Sequence, residues 1–133
     1  MVHRLTGACP SVAIHIPWDK VDDYAKLKSH AEELGVGIGA INPNLFQEDE
    51  YMFGSVTNSD ADIRRKATNH LLECVEIAKT VGSRDLSLWF ADGTNYPGQA
   101  NIRKRIQWMY ESLSEMYGAM TPDMRMLIEY KFF

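Results

Sequence analysis

Four short apolar runs, "SVAIHI" (11–16), "VGIGAI" (36–41), "DLSLWF" (85–90) and "MRMLIEY" (124–130), alternate strictly with three stretches of helical periodicity. Runs of this length, bounded by turn residues, read as strands. A strand–helix–strand order joins its strands by right-handed crossovers, so the strands are expected to be parallel. The chain is therefore an α/β protein, ordered β-α-β-α-β-α-β.

The first helix is predicted over about 20–34, capped by Asp19 and stopped at Gly35, with Val21, Tyr24, Leu27, Ala31 and Leu34 on one stripe. The second follows "TNSDADIRRK", with Ser59 as cap and Asp62 three residues on in a capping-box position. It carries Ile63, Ala67, Leu71, Cys74, Val75 and Ala78 on one face and ends at Gly82. The third is predicted over about 99–117, before Gly118, with Ile102, Ile106, Met109, Leu113 and Met116 as its apolar stripe.

At 133 residues the chain has the length of one ordinary domain. Its 45% hydrophobic and 24% charged residues are the balance of a globular protein. A net charge of −4 with scattered basic residues argues against a nucleic-acid partner. No apolar run approaches the roughly 20 residues needed to span a bilayer, so no membrane partner is expected. The opening "MVHRLTGACPS" lacks a signal-peptide core, and a cytoplasmic location is expected. Cys9 and Cys74 have no CxxC partner and suggest neither a disulfide framework nor zinc.

A (β/α)8 barrel needs about 250 residues. The sequence finishes on its fourth apolar run with no helix to cover it. That pattern predicts a partial barrel, residues 1–133 forming one incomplete domain, over a small complete four-stranded sheet.

In parallel α/β folds chemistry collects beyond the C-terminal strand ends. All four ends here are polar or aromatic. His15, Trp18 and Asp19 follow the first strand, and Asn42, Asn44 and Phe46 the second. Trp89, Asp92 and Asn95 follow the third, and Glu129 and Lys131 the fourth. Plainer roles compete: Asp19 as a helix cap, the asparagines and Asp92-Gly93 as turn formers, the tryptophans as packing residues. His3, His30 and His70 have no site role at this level. Glu129 is the hardest to dismiss, because a carboxylate on a buried strand is costly unless paired or bound to a cation. Two readings stay open: a buried pair with Lys131, or a glutamate facing a divalent metal, with Lys131 reaching substrate.

Taken in order, "HIPWD", "GAINPNLFQ", "GSVTNSD", "SLWFADGTNYPGQ" and "LIEYKFF" resemble the L-rhamnose isomerase family of xylose-isomerase-like (β/α)8 barrels. The resemblance implies a metal-dependent aldose–ketose interconversion using two divalent ions, Mn²⁺ foremost. It implies that Glu129 is a metal ligand and that Lys131 acts at the sugar end being isomerised. His15 would hydrogen-bond the sugar, and Trp18, Phe46 and Trp89 would wall its pocket. The remaining ligands would lie outside this sequence, so the 133 residues alone are expected to be inactive. A homo-oligomer, a tetramer in the family, is implied as well. The alternatives are a ketose 3-epimerase of the same superfamily and a non-catalytic half-barrel that self-associates.

Overall fold

The computed structural model describes residues 1–93, 98 and 100–130. Four strands, β1 (Ser11–Ile16), β2 (Gly37–Pro43), β3 (Asp85–Phe90) and β4 (Arg125–Tyr130), form one sheet in the order β1-β2-β3-β4. Every neighbouring pair is parallel. Helices α2 (Tyr24–Glu33), α3 (Ala61–Val81) and α4 (Ile102–Ala119) connect them, after a short α1 (Val2–Thr6). A sheet whose spatial order equals its chain order never reverses its winding, so its helices line up on one side. Accordingly α3 packs against both α2 and α4 and lies over β2 and β3. This is an arc of a (β/α)8 barrel, four strands alternating with helices, as the sequence pattern predicts.

Period-two alternation assigns the faces. Ile14 and Ile16 of β1, Ile41 and Pro43 of β2, and Leu86, Leu88 and Phe90 of β3 are buried. They pack with the α3 residues Ala67, Leu71, Cys74, Val75, Ile77, Ala78 and Val81 in one core. The intervening residues, among them His15, Asn42, Ser87 and Trp89, take the opposite face, the one that lines a barrel's interior.

The strands sit close to their sequence-predicted positions, and β2 runs on to include Asn42 and Pro43. The helix ends differ. α2 starts at Tyr24, because Asp23 rather than Asp19 accepts the Lys26 amide. Its predicted stripe covers little, with Val21 and Leu34 exposed and Tyr24, Leu27 and Ala31 half-buried. α3 is capped by Asp60, whose carboxylate accepts the Asp62 amide, and not by Ser59. The Asp60 amide in turn donates to the Asn58 side chain, which fixes that turn. α3 ends at Gly82 as expected. α4 starts behind Asn101, whose side chain accepts the Lys104 amide, and passes through Gly118 to Ala119. Its buried positions are Ser112 and Met116, with Met109 and Leu113 half-buried, whereas Ile102 and Ile106 are exposed. The Thr68 hydroxyl, 3.0 Å from the Ser112 hydroxyl, explains the polar residue on that face.

The segment between β2 and α3 holds a short 3₁₀ helix (Asp49–Phe53), anchored by the buried Tyr51 ring. No helix among the described residues is long and apolar enough to cross a membrane.

Candidate active site

The strand ends converge as the pattern predicts. His15 lies in register with Asn42 across β1 and β2, and Trp89 with Glu129 across β3 and β4. Register partners in a parallel ladder share a face, so these four residues point the same way. With Pro43, Phe46 and Ser87 they line an open cavity of about 240 Å³. That is just below the roughly 300–1,000 Å³ typical of drug-sized ligand sites, a scale suited to a small polar ligand.

Local chemistry fixes each wall. Beyond β1 the chain folds back on itself: the Asp19 carboxylate accepts the His15 amide at 2.8 Å, and the Asp19 amide donates to the His15 carbonyl at 2.7 Å. Asp19 is thus a turn-closing residue for the strand end that carries His15, which is why it does not cap α2. Trp18, 55% exposed, stacks on the His15 ring with centroids 5.2 Å apart and planes at 23°. Trp18 therefore joins the site through His15 and does not itself line the cavity. The His15–Trp18 end is also tied down from α3. His70 sits 3.1 Å from the Ile16 carbonyl and 3.3 Å from Glu73, and Glu73 accepts from Lys20 at 2.5 Å. Lys20, and to a lesser degree His70, hold the Glu73 carboxyl below its ordinary value, against the opposing effect of burial.

Beyond β2, the buried Asn44 accepts the Phe46 and Gln47 amides at 3.2 and 3.3 Å. This turn presents the half-buried Phe46 ring edge-on to Trp89, with centroids 5.1 Å apart and planes at 80°. Aromatic faces left partly open beside polar groups suit a ligand with both C–H faces and hydroxyls.

Glu129 requires a correction. Its apolar flanks predict a central buried strand, but among the described residues β4 is the edge of the sheet and Glu129 is exposed. Nothing among the described residues covers its carboxylate, so burial by them does not force a counter-ion upon it. Lys131, and with it the proposed Glu129–Lys131 pair, lies outside the described residues, as does Asn95. Among the described residues no three His, Cys, Asp or Glu side chains gather closely enough to hold a metal ion. Glu129 is, among the described residues, the one carboxylate on the cavity. It is an oxygen donor of the kind hard cations take, but a single donor does not make a site, and these residues do not enclose a divalent ion by themselves.

Asp92 stands at the third strand end by sequence, with a turn as its plainer role; what the sequence does not reveal is its partners. It is 8% exposed, and its carboxylate accepts four hydrogen bonds. The Ser55 and Thr57 amides donate at 2.9 Å each, the Ser55 hydroxyl at 2.7 Å and the Thr57 hydroxyl at 2.8 Å. Arg105 of α4 adds bonds to the Asp92 carbonyl at 2.5 Å and the Phe53 carbonyl at 3.2 Å. The motifs "GSVTNSD" and "ADG" are thus the two halves of one lock. Gly54 must be glycine: at φ 109° and ψ 156° an added Cβ would fall 2.8 Å from the Thr57 hydroxyl. No local signal betrays the lock, because its partners lie 35 and 37 residues away.

No family model matches the chain. Over its whole length it is 41% identical to a probable sugar isomerase of Rhizobium meliloti and 39% identical to another of Mesorhizobium japonicum. It covers 32% of each, so the chain spans about a third of the length of the curated relatives it matches. A xylose isomerase of Solibacter usitatus is 29% identical over 79 residues, 56% of this chain and 18% of that protein. Among solved structures, a D-psicose 3-epimerase of Clostridium cellulolyticum superposes with TM-score 0.60 at 14% identity, over 83% of this chain and 38% of that one. A xylose isomerase domain protein of Planctomyces limnophilus gives 0.58 at 12% identity, over 90% and 44%. These structural likenesses bear on the fold alone, that of part of such a barrel. The sequence likeness, at higher identity and over the whole chain, is to sugar isomerases.

Proposed function

We propose that these residues form one wall of the active site of a metal-dependent aldose–ketose isomerase acting on L-rhamnose and related sugars. The observation that carries the proposal is the convergence of His15, Asn42, Phe46, Trp89 and Glu129 on one strand-end cavity, in a chain similar throughout to probable sugar isomerases. In this reading Glu129 contributes one oxygen ligand to a divalent ion, Mn²⁺, whose other ligands come from outside these residues. Such an ion would supply Lewis-acid stabilisation of charge on the sugar oxygens.

The chain's own residues do the rest by position. Phe46 and Trp89 offer a right-angled apolar corner for the C–H face of a sugar and keep bulk water from it. His15, held from behind by Asp19 and stacked on Trp18, presents a ring nitrogen to a hydroxyl. Asn42 adds an amide that both donates and accepts beside it. Lys131 keeps its sequence-based assignment to the sugar end being isomerised, where a fixed positive charge would favour a developing oxyanion.

The test is an assay of L-rhamnose to L-rhamnulose conversion with added Mn²⁺, run on the protein that carries this chain and on its Glu129→Gln variant. Turnover that falls about 10–100-fold or more in the variant, with Mn²⁺ binding weakened, is expected, since loss of even a partner that supports a metal ligand typically costs about 10–100-fold in metal affinity or activity. Unchanged turnover in Glu129→Gln would remove Glu129 from the chemistry. The epimerases among the similar solved structures motivate a second reading, a ketose 3-epimerase. Product analysis separates the two, because an epimerase returns a ketose inverted at C3 and never an aldose.

A further inference from the structure

The sheet is not uniformly zipped. The β1–β2 ladder runs to Ile16↔Pro43 and the β3–β4 ladder to Phe90↔Tyr130. Between them, β2 and β3 pair at Ala40↔Asp85 and Ile41↔Leu86 and, among the described residues, no further toward the strand ends. At the level of the cavity the sheet is therefore split in two. One half carries His15, Asn42 and Phe46, and the other carries Ser87, Trp89 and Glu129.

Among the described residues, two sets of contacts stand out across the split at that end. One is the Phe46–Trp89 edge contact inside the cavity. The other is the Asp92 lock, in which a carboxylate just beyond β3 takes four donors from Ser55 and Thr57 on the segment that follows β2. Arg105 braces both sides, bonding the Asp92 carbonyl on one and the Phe53 carbonyl on the other. The ring contact is a soft one between two partly exposed side chains. The carboxylate contact is buried, charge-assisted and fully satisfied, so it is the stiffer tie.

We propose that Asp92 is a positioning residue: by clasping Ser55 and Thr57 it takes over from the missing β2–β3 hydrogen bonds and sets the width of the cavity between its two halves. Phe46 reaches Trp89 because the clasp holds the intervening segment against β3. As a device that shapes a sugar site, the clasp rests on the isomerase reading above. As the tie that sets the distance between Phe46 and Trp89, it stands whatever ligand the cavity takes.

The experiment uses the protein that carries this chain, labelled with fluorotryptophan and read by fluorine NMR. The lines of Trp18, Trp89 and Trp108 are assigned by single substitution to phenylalanine. Phe46→Leu removes the ring edge above Trp89 and marks where the Trp89 line lies without it. Asp92→Asn keeps the side chain's shape but turns an amide N–H₂ toward its donors. The Ser55→Ala/Thr57→Val double variant is milder, removing two hydroxyl donors while the two backbone donors remain.

The Trp89 line is expected to move toward its Phe46→Leu position in both variants, further in Asp92→Asn, in chains whose circular dichroism stays native. If Asp92→Asn fails to fold, the double variant carries the decision. A Trp89 line that stays at its wild-type position in a folded variant would overturn the proposal, leaving Asp92 as a stabilising residue with no hold on the cavity. The measurement involves no turnover. Absence of isomerase activity would therefore bear on the function and leave the clasp untouched.

Discussion

Gly54→Ala is the substitution whose cost the structure specifies most closely. Gly54 sits at φ 109° and ψ 156°, a conformation that is almost exclusively glycine's and costs an L residue on the order of 1–3 kcal/mol. Sterics add to that. A Cβ built there lies 2.8 Å from the Thr57 hydroxyl, 2.9 Å from Arg105 Nη2 and 3.3 Å from Asp92 Oδ2. None of these atoms is free to retreat, since the hydroxyl and the guanidinium both hold Asp92. Displacing one donor from a buried carboxylate costs about 1–3 kcal/mol. Together the two effects come to roughly 2–6 kcal/mol, a large share of the 5–15 kcal/mol by which a domain is typically stable.

Gly7→Ala is the matched control. Gly7 also has positive φ, at 68°, but a Cβ there meets nothing within 4 Å. It should lose about 1–2 kcal/mol from backbone strain alone. Urea unfolding followed by far-UV circular dichroism compares the two directly. At a slope near 2 kcal/mol per M, Gly54→Ala should lower the midpoint by about 1–3 M and Gly7→Ala by about 0.5–1 M. Equal losses in the two variants would refute the reasoning, for they would show that the crowding around Asp92 contributes nothing.

Two further outcomes follow from titrating groups. Burial pushes the Cys74 thiol up to about 12, so it carries almost no thiolate at pH 8. The native chain should take up one equivalent of iodoacetamide, at the exposed Cys9, and two when denatured; rapid double labelling of the native chain would contradict this. The Glu73 carboxyl is held low chiefly by Lys20. A depressed carboxylate adds stability above its unfolded value, near pH 4.3, and loses it as pH falls through the lower folded one. Glu73→Gln should therefore cost stability at pH 7 and nothing once Glu73 is protonated in both states. Because the pair is more than a third exposed, the cost should be about 0.5–1 kcal/mol. Thermal melts at pH 7 and pH 3 would check it, and a gap that widens toward acid would sink the assignment.

Much of the architecture was legible in the sequence because it rests on periodicity. Leu86, Leu88 and Phe90 alternate with Ser87 and Trp89, and that alternation alone separates the helix-facing side of β3 from the cavity side. The α3 stripe is equally local, since its buried residues recur at helical spacing. Strict alternation of strands and helices then fixed parallel pairing, and parallel pairing put His15, Asn42, Trp89 and Glu129 at one edge. Each step needs only neighbours within about two turns.

What tertiary structure decided are the features whose partners are remote or whose environment depends on neighbours. Asp19 and Asp23 are equally good caps by composition; the choice fell to Asp23 because Asp19 is occupied by the His15 amide. α4 shows the same limit. Its apolar stripe from Ile102 to Met116 is continuous in sequence, yet Ile102 and Ile106 stay exposed while Ser112 is buried against Thr68 of α3. A helix's periodicity says which residues share a face, but only the partner says which part of that face is covered. Glu129 has apolar flanks that predict burial, yet among the described residues it is exposed, since burial depends on what packs beside its strand. Asp92 is the clearest case. As a dipeptide with Gly93 it spells a turn, and nothing local distinguishes it from one. It becomes a buried carboxylate because the fold carries Ser55 and Thr57 from the far end of a loop to meet it. Sequence determines what each short stretch can become, since torsional preference and hydrophobic period are local; the assignment of a polar group to its partner is settled only when the chain has closed, since a buried charge is stable only where donors from distant segments arrive together.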